Sequence, residues 1–559
     1  MLDQRSPAWE RIVRYPRAYL RSDLIAGITV AVMLVPQAMA YAMLAGLPPV
    51  VGLYASVVPV LVYALLGSSR HLAVGPVALV SLMVAAGCRD LAEPESAAYI
   101  AIVLMLMLMV GIVQLAMGVL RAGFLVCFLS RAVVSGFMSA AALIIAASQL
   151  RHLLGLPLAE ASVFGMLFAS VRGLGQWHPL TVAIAGSSVL VLSWLKAKHP
   201  RFPSAMGLVI VATLVVWWWG LDKQGVAVVG QVPRGLPRLS LPAWDAAIAV
   251  QLLPVTLAIA FVAFLESVAI AQSIAAREKY LIDPDQELRA LGLANVAGAF
   301  FSGYPVTGGL SRTAVNHSAG AKTQLASLIT GGLVLLVLLA LTPLFSFLPK
   351  AVLAAIVLVA VMGLIEFPEG LRLYRLKRAD GLCFLLTFAA TLVFGVEPGV
   401  LAGITLSLLQ FIWRSAHPHM AELGYLAQED VFRNVRRFPD AQLCPHTLLV
   451  RIDASLYFAN ASFVEKRLRE WLAERPDVAW VVCDMSGVND IDATAISTLE
   501  RLMADYRARG VRFAFAGTKG PVRDLIVRAG WTADDGPVAQ YLSLQQAVED
   551  ICSSGAEPE

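Results

Sequence analysis

Charged residues are scarce in this sequence. Asp, Glu, Lys and Arg make up 15% of the 559 residues, whereas soluble domains contain about 25%. The mean hydropathy is +0.72, and the shortage of charge is confined to the region before Met420. This distribution excludes a single soluble globular protein and predicts a polytopic membrane region followed by a soluble domain. The formal net charge of +4 is too small to indicate a nucleic-acid partner.

The motifs of enzyme chemistry are also missing. The sequence has no Walker-type phosphate loop and no nucleophile with a base at a useful spacing, so we expect neither an enzyme nor an ATP-driven pump. Six cysteines are scattered along the chain without the spacing of metal ligands, which excludes a zinc site and a disulfide framework: Cys88, Cys127, Cys383, Cys444, Cys483 and Cys552. We therefore predict no metal and no cofactor.

The N-terminus lacks the short apolar core and cleavage site of a signal peptide. It carries five arginines before the first apolar run: Arg5, Arg11, Arg14, Arg17 and Arg21. By the positive-inside rule, these arginines predict a cytoplasmic N-terminus.

Apolar segments of membrane-spanning length dominate the region up to residue 415. About fourteen are predicted if two short ones are included, and the basic loops between them alternate so that both termini are cytoplasmic. The predicted divisions are an N-terminal segment (1–22), a first group of seven spans (23–220), a connector (221–244), a second group of seven (245–415), a linker (416–444), a soluble domain (445–552) and a tail (553–559).

The two short segments occupy matching places, third in each group of seven. The first follows Gly75 and Pro76 and has only about a dozen apolar residues, whereas a helical span needs about 20. The second lies in 301–324 and contains the Gly308–Gly309 pair and Arg312. Matching interrupted segments indicate inverted repeats with a transport site between them, where two half-helix N-termini form an anion site. The alternative for 301–324 is a cytoplasmic loop whose Arg312 contacts lipid headgroups.

Three further side chains are polar within apolar spans. Gln37 and Tyr41 lie on one helical face after Pro36, which frees a backbone carbonyl; the alternative is a kinked span with Tyr41 packed against a neighbouring helix. Glu266 lies inside the first span of the second group. Ionisable residues in such positions are costly and usually face a cavity or a partner.

The soluble domain alternates strand and helix patterns. Residues 477–488 are typical of a buried strand, and residues 491–510 of an amphipathic helix that ends at Gly510. We expect a small sheet with helices packed on it.

Four motifs give the chain a family resemblance. They are VPQAMAYAMLAGLPPVVGLYAS (35–56), LGSSRHLAVGPVALVSLM (66–83), GGLSRTAVNHSAGAKTQLASL (308–328) and CDMSGVNDIDATA (483–495). The first three resemble the SulP, or solute carrier 26 type, anion transporters, and the fourth resembles the signature loop of a STAS domain. The resemblance covers nearly the whole chain. It implies an α-helical membrane protein of two inverted seven-span repeats, arranged as core and gate domains, plus a small cytoplasmic α/β STAS domain. Dimerisation and an elevator-like movement of the core are also implied.

The same resemblance places the substrate between the two half-helices. Carried over by motif, the substrate-binding residues would be Gln37, Tyr41, Gly75, Pro76, Val77, Gly309, Leu310, Ser311 and Arg312. These groups suit a compact anion, and we favour sulfate because Gln37 and Tyr41 are polar. Bicarbonate, dicarboxylate or chloride are the alternatives within the family.

Glu266 is predicted to carry the coupling proton. A low-dielectric site and a bound anion both favour the protonated carboxyl group, which predicts proton–anion symport. One alternative is that Glu266 pairs with Arg312 to hold the core together. A sodium site is less expected, because sodium would need more oxygen ligands than one carboxylate provides.

Thr494 occupies the place where related regulatory domains have a phosphorylatable serine. Phosphate would add about −1.5 to −2 charge beside Asp490 and Asp492, which suggests a switch. The structural alternative, which we favour, is a helix cap formed by Asp492 or Thr494.

Two other classes of protein are alternatives to a secondary active transporter, namely an anion channel or motor and a membrane-anchored scaffold. An anion channel or voltage-responsive motor would have no need of a proton-titrating acid such as Glu266. A membrane-anchored scaffold, with the STAS domain as its working part, would tolerate loss of the anion site.

Overall fold

A computed structural model describes residues 15–128, 130–156, 163–198, 204–531 and 538–553 of the chain. The chain divides into two compact units, residues 1–407 and 408–559. The first unit is helical and the second contains a sheet. Arg5, Arg11 and Arg14 of the predicted basic N-terminal segment, and most of the predicted tail, lie outside the described residues.

Among the described residues, the first half of the membrane region contains nine α-helices and one very short strand. Their bounds are α1 (Leu20–Leu44), α2 (Pro49–Ala55), α3 (Val58–Leu66), β1 (Val74–Gly75), α4 (Ala78–Cys88), α5 (Ala97–Val119), α6 (Arg131–Leu154), α7 (Val163–Arg172), α8 (Pro179–Lys198) and α9 (Ser204–Trp219). Pro36 lies inside α1, and Ser96 and Ser130 cap α5 and α6 by accepting bonds from Tyr99 N and Val133 N.

The second half repeats this order. It comprises α10 (Ala246–Arg277), α11 (Pro284–Phe300), β2 (Thr307–Gly308), α12 (Leu310–Ser318), α13 (Leu325–Leu336), α14 (Lys350–Val361), α15 (Phe367–Leu376), α16 (Arg378–Phe394) and α17 (Val396–Ala416). Asp245 caps α10, and Asp283 caps α11, which begins with Pro284 at its first position. These caps satisfy N–H groups that a helix start otherwise leaves unpaired.

The expected membrane fold is confirmed. Among the described residues, eight helical segments of at least 18 residues are apolar enough to cross a membrane. The other predicted spans correspond to shorter or more polar helices, which are α4, α9, α11, α12, α16 and α17. Two helices were not predicted, α7 and the amphipathic α15. The second predicted span is broken into α2 and α3 at Ser56, before Pro59.

The two interrupted segments meet in the middle of the molecule. β1 and β2 pair antiparallel, with Val74 opposite Gly308 and Gly75 opposite Thr307. Each strand leads directly into a short helix, α4 or α12. The pairing brings the starts of two helices together although they lie more than 200 residues apart in sequence.

Glycines allow α5 and α11 to approach very closely. A Cβ atom added at Gly111 would lie 2.6 Å from Val296 N, and one added at Gly292 would lie 2.6 Å from Leu115 N. Small residues promote helix association in membranes because they allow backbones to touch. This contact fixes α11, from which the chain continues into β2.

The second unit is an α/β domain. Its strands are β3 (Met420–Leu426), β4 (Val431–Asn434), β5 (Thr447–Ile452), β6 (Trp480–Asp484), β7 (Arg512–Ala516) and β8 (Val538–Tyr541), in the order β4-β3-β5-β6-β7-β8. Strands β5 to β8 are parallel, and β3 is antiparallel to both of its neighbours. Its helices are α18 (Ala461–Glu474), α19 (Ala493–Arg507), α20 (Gly520–Arg528) and α21 (Leu544–Ser553). The predicted strand and helix alternation is confirmed.

Candidate functional site

The starts of α4 and α12 carry unpaired backbone donors. Val77 and Gly309 are the N-cap residues, and neither makes a side-chain capping bond. The first-turn N–H groups of both helices therefore remain available to a ligand, and helix N-termini attract anions. Ser311 is the second residue of α12 and not its N-cap. Its side chain is exposed, as is that of Leu310.

Arg312 projects from α12 across the crossing of the two half-helices. Arg312 is 2% exposed, and its Nη1 donates to the carbonyl of Pro76 at 2.5 Å. Nε and Nη2 are buried and have no hydrogen-bond partner within the described part of the chain. A Cβ added at Gly309 would lie 2.7 Å from Nη2, so glycine at this position makes room for the guanidinium group. Unpaired buried donors are costly, and here they are compatible with an anionic ligand.

Glu266 also has an unsatisfied atom. Its Oε2 is buried and has no hydrogen-bond partner among the described residues. No ion pair joins it to Arg312 in the part of the chain that the structure describes. The alternative in which these two residues form a structural salt bridge is therefore not realised in this structure.

Ser267, the neighbour of Glu266, anchors α10 to β2. Its Oγ accepts from Gly308 N at 2.8 Å and lies 2.7 Å from Thr307 Oγ1. Thr307 Oγ1 in turn donates to the Ala263 carbonyl at 2.6 Å. These bonds fix the helix that carries Glu266 against the start of α12. The sequence analysis did not single out Ser267, because hydroxyls within apolar helices are common.

An amide network holds the segment before β2. Asn295 Oδ1 accepts from Val306 N at 2.9 Å, and Asn295 Nδ2 donates to the Val306 carbonyl at 3.2 Å. Nδ2 also lies 2.9 Å from Gln114 Oε1, whose own amide donates to the Ala260 carbonyl at 3.2 Å. The sequence analysis did not predict Asn295 or Gln114. Each is a polar residue within an apolar span, and that position could have identified it.

Glu287 holds the loop that precedes β1. This carboxylate is fully buried, and its Oε2 accepts from Tyr63 OH at 2.7 Å. Its Oε1 accepts from Ser68 N at 2.8 Å, Ser68 Oγ at 2.6 Å and Ser69 N at 2.9 Å. The sequence analysis missed Glu287, because it lies near the more polar start of its helix.

The predicted site residues fall into two layers. Gln37 and Ser311 line a cavity of about 150 Å³ that lies between α1, α8, α9, α12 and α14. Tyr41, Val77 and Arg312 are buried and do not line it. Gly75 is part of β1, and the carbonyl of Pro76 is occupied by Arg312. The structure thus gathers the residues at one crossing, with only some of them in contact with the cavity.

In the second unit, Asp492 is the N-cap of α19. Its side chain accepts from Ala495 N at 2.8 Å, and its other oxygen accepts from Phe458 N at 2.8 Å. Thr494 is exposed in the first turn of the same helix. The capping interpretation therefore applies to Asp492.

These features define a helical membrane transporter joined to an α/β domain. The profile of the sulfate permease family matches residues 20–387, and that of the STAS domain matches residues 438–546. The chain belongs to the sulfate permease family. Its fold class and its assignment to transporters instead of enzymes are thereby established.

Relatives and solved structures agree with this assignment. The chain is 40% identical over 572 residues to sulfate transporter 4.1, chloroplastic, of Arabidopsis thaliana, covering 97% of this chain and 82% of that protein. It is 36% identical to a probable sulfate transporter of Mycobacterium tuberculosis, with 97% of both chains covered. The murine solute carrier 26 family member A9 anion transporter in the inward-facing state superposes with a TM-score of 0.89 at 25% identity, covering 98% of this chain and 93% of that one. The transmembrane domain of a cyanobacterial bicarbonate transporter, at 24% identity, superposes with a TM-score of 0.61 over 70% of this chain and 98% of that one.

Proposed function

We propose that this protein is a secondary active transporter that carries sulfate together with protons. The observation that carries the proposal is the buried Arg312 guanidinium, whose Nε and Nη2 have no hydrogen-bond partner among the described residues and which lies beside two helix starts without a side-chain cap. A buried cation with free donors is stabilised when a compact anion occupies the crossing. The relatives that are named sulfate transporters support sulfate as the anion.

The anion would be bound mainly by donors. The free first-turn N–H groups of α4 and α12, the hydroxyl of Ser311 and the amide of Gln37 surround the crossing, and Arg312 supplies the positive charge. Each half-helix offers only a few free N–H groups, which favours a small oxyanion over an extended one. Tyr41 and Arg312 lie behind the cavity, so binding would involve a small opening of this inner layer.

Glu266 would couple the transport to protons. An ionised carboxylate near the crossing repels an incoming anion, whereas a protonated carboxyl group does not. Because Oε2 has no donor to stabilise its negative charge, a bound anion would favour protonation of Glu266. The proton and the anion would then move together.

The transport step would be a movement of one group of helices against the other. The half-helices, together with α1 and α10, would form the moving core, and the remaining helices would form the gate. We propose that the N-terminus and the STAS domain are cytoplasmic, that the protein lies in the inner or plasma membrane, and that it forms a homodimer. Under this orientation the side on which α1 begins is the cytoplasmic side.

The test is sulfate uptake into proteoliposomes under an imposed inward proton gradient. We expect uptake that follows the gradient in the wild type and loses its pH dependence in Glu266→Gln. Glu93→Gln is the matched control, because it makes the same substitution at an exposed carboxylate outside the site.

Three outcomes would contradict parts of the proposal. Unchanged pH dependence in Glu266→Gln would exclude Glu266 as the proton carrier. Transport of bicarbonate, a dicarboxylate or chloride without any sulfate transport would support the proposed site but contradict sulfate as the substrate. Passive anion currents without proton coupling would assign the protein to the channel class.

A further inference from the structure

The cavity that reaches Gln37 and Ser311 has one charged side chain in its wall. Besides these two residues, the wall is formed by Met33, Leu192, Lys196, Ser204, Ala205, Val315, Ile356, Val359 and Ala360. Lys196 lies in the last turn of α8, and Ser204 begins α9. The cavity therefore extends from the start of α12 to the ends of helices on the side where α8 meets α9.

The position of Lys196 is defined by a neighbouring helix. Its Nζ lies 3.4 Å from the Val359 carbonyl, near the end of α14, which is long for a hydrogen bond. Its side chain is exposed, so the ammonium group stays hydrated at the mouth of the cavity. Lys196 therefore lies beside the opening and makes only a weak hydrogen bond there, to the Val359 carbonyl.

No acidic residue among the described cavity-lining residues neutralises this charge. Glu366 is the acid that follows this part of α14 in the chain, and it makes a short hydrogen bond with the Ser135 hydroxyl. Lys198, two residues further along α8, is exposed and does not line the cavity. Among the described residues that line the cavity, Lys196 is therefore the one that supplies charge.

Clefts with low-dielectric walls and charge of one sign concentrate ions of the opposite sign. A cation at the mouth acts on every anion that enters, without contacting the anion when it is bound at Ser311. Its effect should fall as ionic strength rises, because the Debye length is only about 8 Å at physiological salt.

We propose that Lys196 is an attracting residue at the mouth of this cavity, which raises the local concentration of anions on their path to Ser311. This role in transport rests on the proposed sulfate transport. There, Lys196 lowers the KM for substrate offered from the side where α8 meets α9. Gln37, Ser311 and Arg312 remain the binding groups.

The potential can be measured without transport. A cysteine introduced as Met33→Cys lies in the cavity wall one turn before Gln37, and Ala205→Cys provides a second reporter. Both are made in a background in which Cys127, Cys444 and Cys552 are replaced by serine, which leaves the buried Cys88, Cys383 and Cys483. The rates of modification by an anionic and a cationic methanethiosulfonate reagent are compared, each corrected for its rate with a free small thiol.

We expect the corrected anionic-to-cationic ratio to exceed one and to fall about tenfold in Lys196→Glu at low salt. In Lys198→Glu, the matched control, it should change less than about twofold. An unchanged ratio in Lys196→Glu would overturn the inference. So would failure of both reporters to react, because the cavity would then not be an open path.

Transport separates this inference from the proposed function. With substrate on the side of Lys196, Lys196→Gln should raise KM about fivefold at low salt and leave kcat within about a factor of two. Lys196→Arg keeps the positive charge and should have the wild-type KM. A wild type that moves no anion, together with a Lys196-dependent labelling ratio, would reject the transport function but keep the attracting role. Normal transport with an unchanged labelling ratio and KM in Lys196→Gln would reject only the attracting role.

Discussion

Arg312 donates a hydrogen bond to the Pro76 carbonyl, which lies 236 residues earlier in the chain. This bond connects the second half-helix to the approach of the first, and it uses only one of the guanidinium nitrogens. The same side chain therefore joins the two repeats and keeps donors free for a ligand. If the proposed function holds, an anion bound at this crossing would be coupled to the contact between the two half-helices.

Replacing Arg312 by lysine keeps the charge and removes the planar donor group. Lysine is a point charge that cannot hold the Pro76 carbonyl and an anion in the geometry of a guanidinium group. We expect Arg312→Lys to raise the KM for sulfate about tenfold, which corresponds to about 1.4 kcal/mol. Radiolabelled uptake in proteoliposomes measures this change, and wild-type kinetics in Arg312→Lys would show that the donor geometry is unimportant.

Gly309→Ala tests whether the position of the guanidinium group matters. The new Cβ would lie 2.7 Å from Arg312 Nη2 and 2.8 Å from its Cζ, so the side chain must move. We expect sulfate uptake to fall about tenfold or more, with a smaller effect on thermal stability because the displaced group is a flexible side-chain end. Gly332→Ala is the control, since a Cβ there would have nothing within 4 Å. Equal uptake by the two variants would contradict the prediction.

Glu287→Gln should destabilise the membrane unit. The amide nitrogen of glutamine cannot accept the bonds from Tyr63 or Ser68, so at least one buried donor would lose its partner. An unsatisfied buried group costs about 1–3 kcal/mol, and more when a charged partner is lost. Thermal unfolding in detergent should show a lower midpoint than the wild type. The exposed Glu93→Gln variant should unfold like the wild type, and a matching loss in that control would make the effect nonspecific.

Gly111→Ala should loosen the contact between α5 and α11. A methyl group there would lie 2.6 Å from Val296 N and 2.8 Å from the Gly292 carbonyl, so the helices must separate. Overpacking of this kind costs about 1–3 kcal/mol. We expect a lower unfolding midpoint in Gly111→Ala and little change in Gly186→Ala, where a Cβ meets nothing within 4 Å. A similar midpoint for both variants would mean that the backbone contact is easily relaxed.

Asp453 gives the STAS unit a measurable dependence on pH. Partial burial alone would favour its neutral form, but the hydrogen bonds from Arg451 and His419 hold the pKa of Asp453 below its ordinary value. Its stabilising contribution is therefore present above the ordinary Asp pKa of about 3.9, and it is lost as the pH falls through the lowered pKa. The carboxylate is partly exposed, so the contribution at neutral pH should be small, up to about 1 kcal/mol.

Asp453→Asn should therefore unfold at a lower temperature than the wild type at pH 7. The difference should shrink as the pH approaches 4 and below, because the wild-type carboxylate becomes neutral as well. Fluorescence-monitored unfolding of the full chain at several pH values measures it. A difference that grows with acidity would contradict the sign of the pKa shift.

Much of the architecture could be predicted because the signals are local. Apolar runs of spanning length, basic loops and the two interruptions at Gly75–Pro76 and Gly308–Gly309 are properties of neighbouring residues. Helix α15 was not predicted, because its amphipathic pattern is too short to be distinguished from the apolar span before it. The STAS strands were recognisable because parallel strands buried on both faces consist of continuous apolar residues.

The candidate site was predicted only in part. The positions of Val77 and Gly309 at the helix starts follow from local breaks, and Arg312 was recognisable because a cation is rare among apolar spans. The positioning residues Ser267, Asn295 and Glu287 were missed, because each acts on a distant part of the chain. The sequence analysis did not single out Lys196, because its place in the cavity wall depends on helices that are distant in sequence.

The sequence by itself determined that this is a membrane transporter with a STAS domain, since hydropathy, charge placement and motif residues act over short distances. The tertiary structure alone decided how the site is built. It pairs Val74 with Gly308, directs Arg312 to Pro76 and leaves Glu266 Oε2 without a hydrogen-bond partner among the described residues. The first two relationships join parts of the chain that lie more than 200 positions apart, and only the packing of the two repeats brings such residues together.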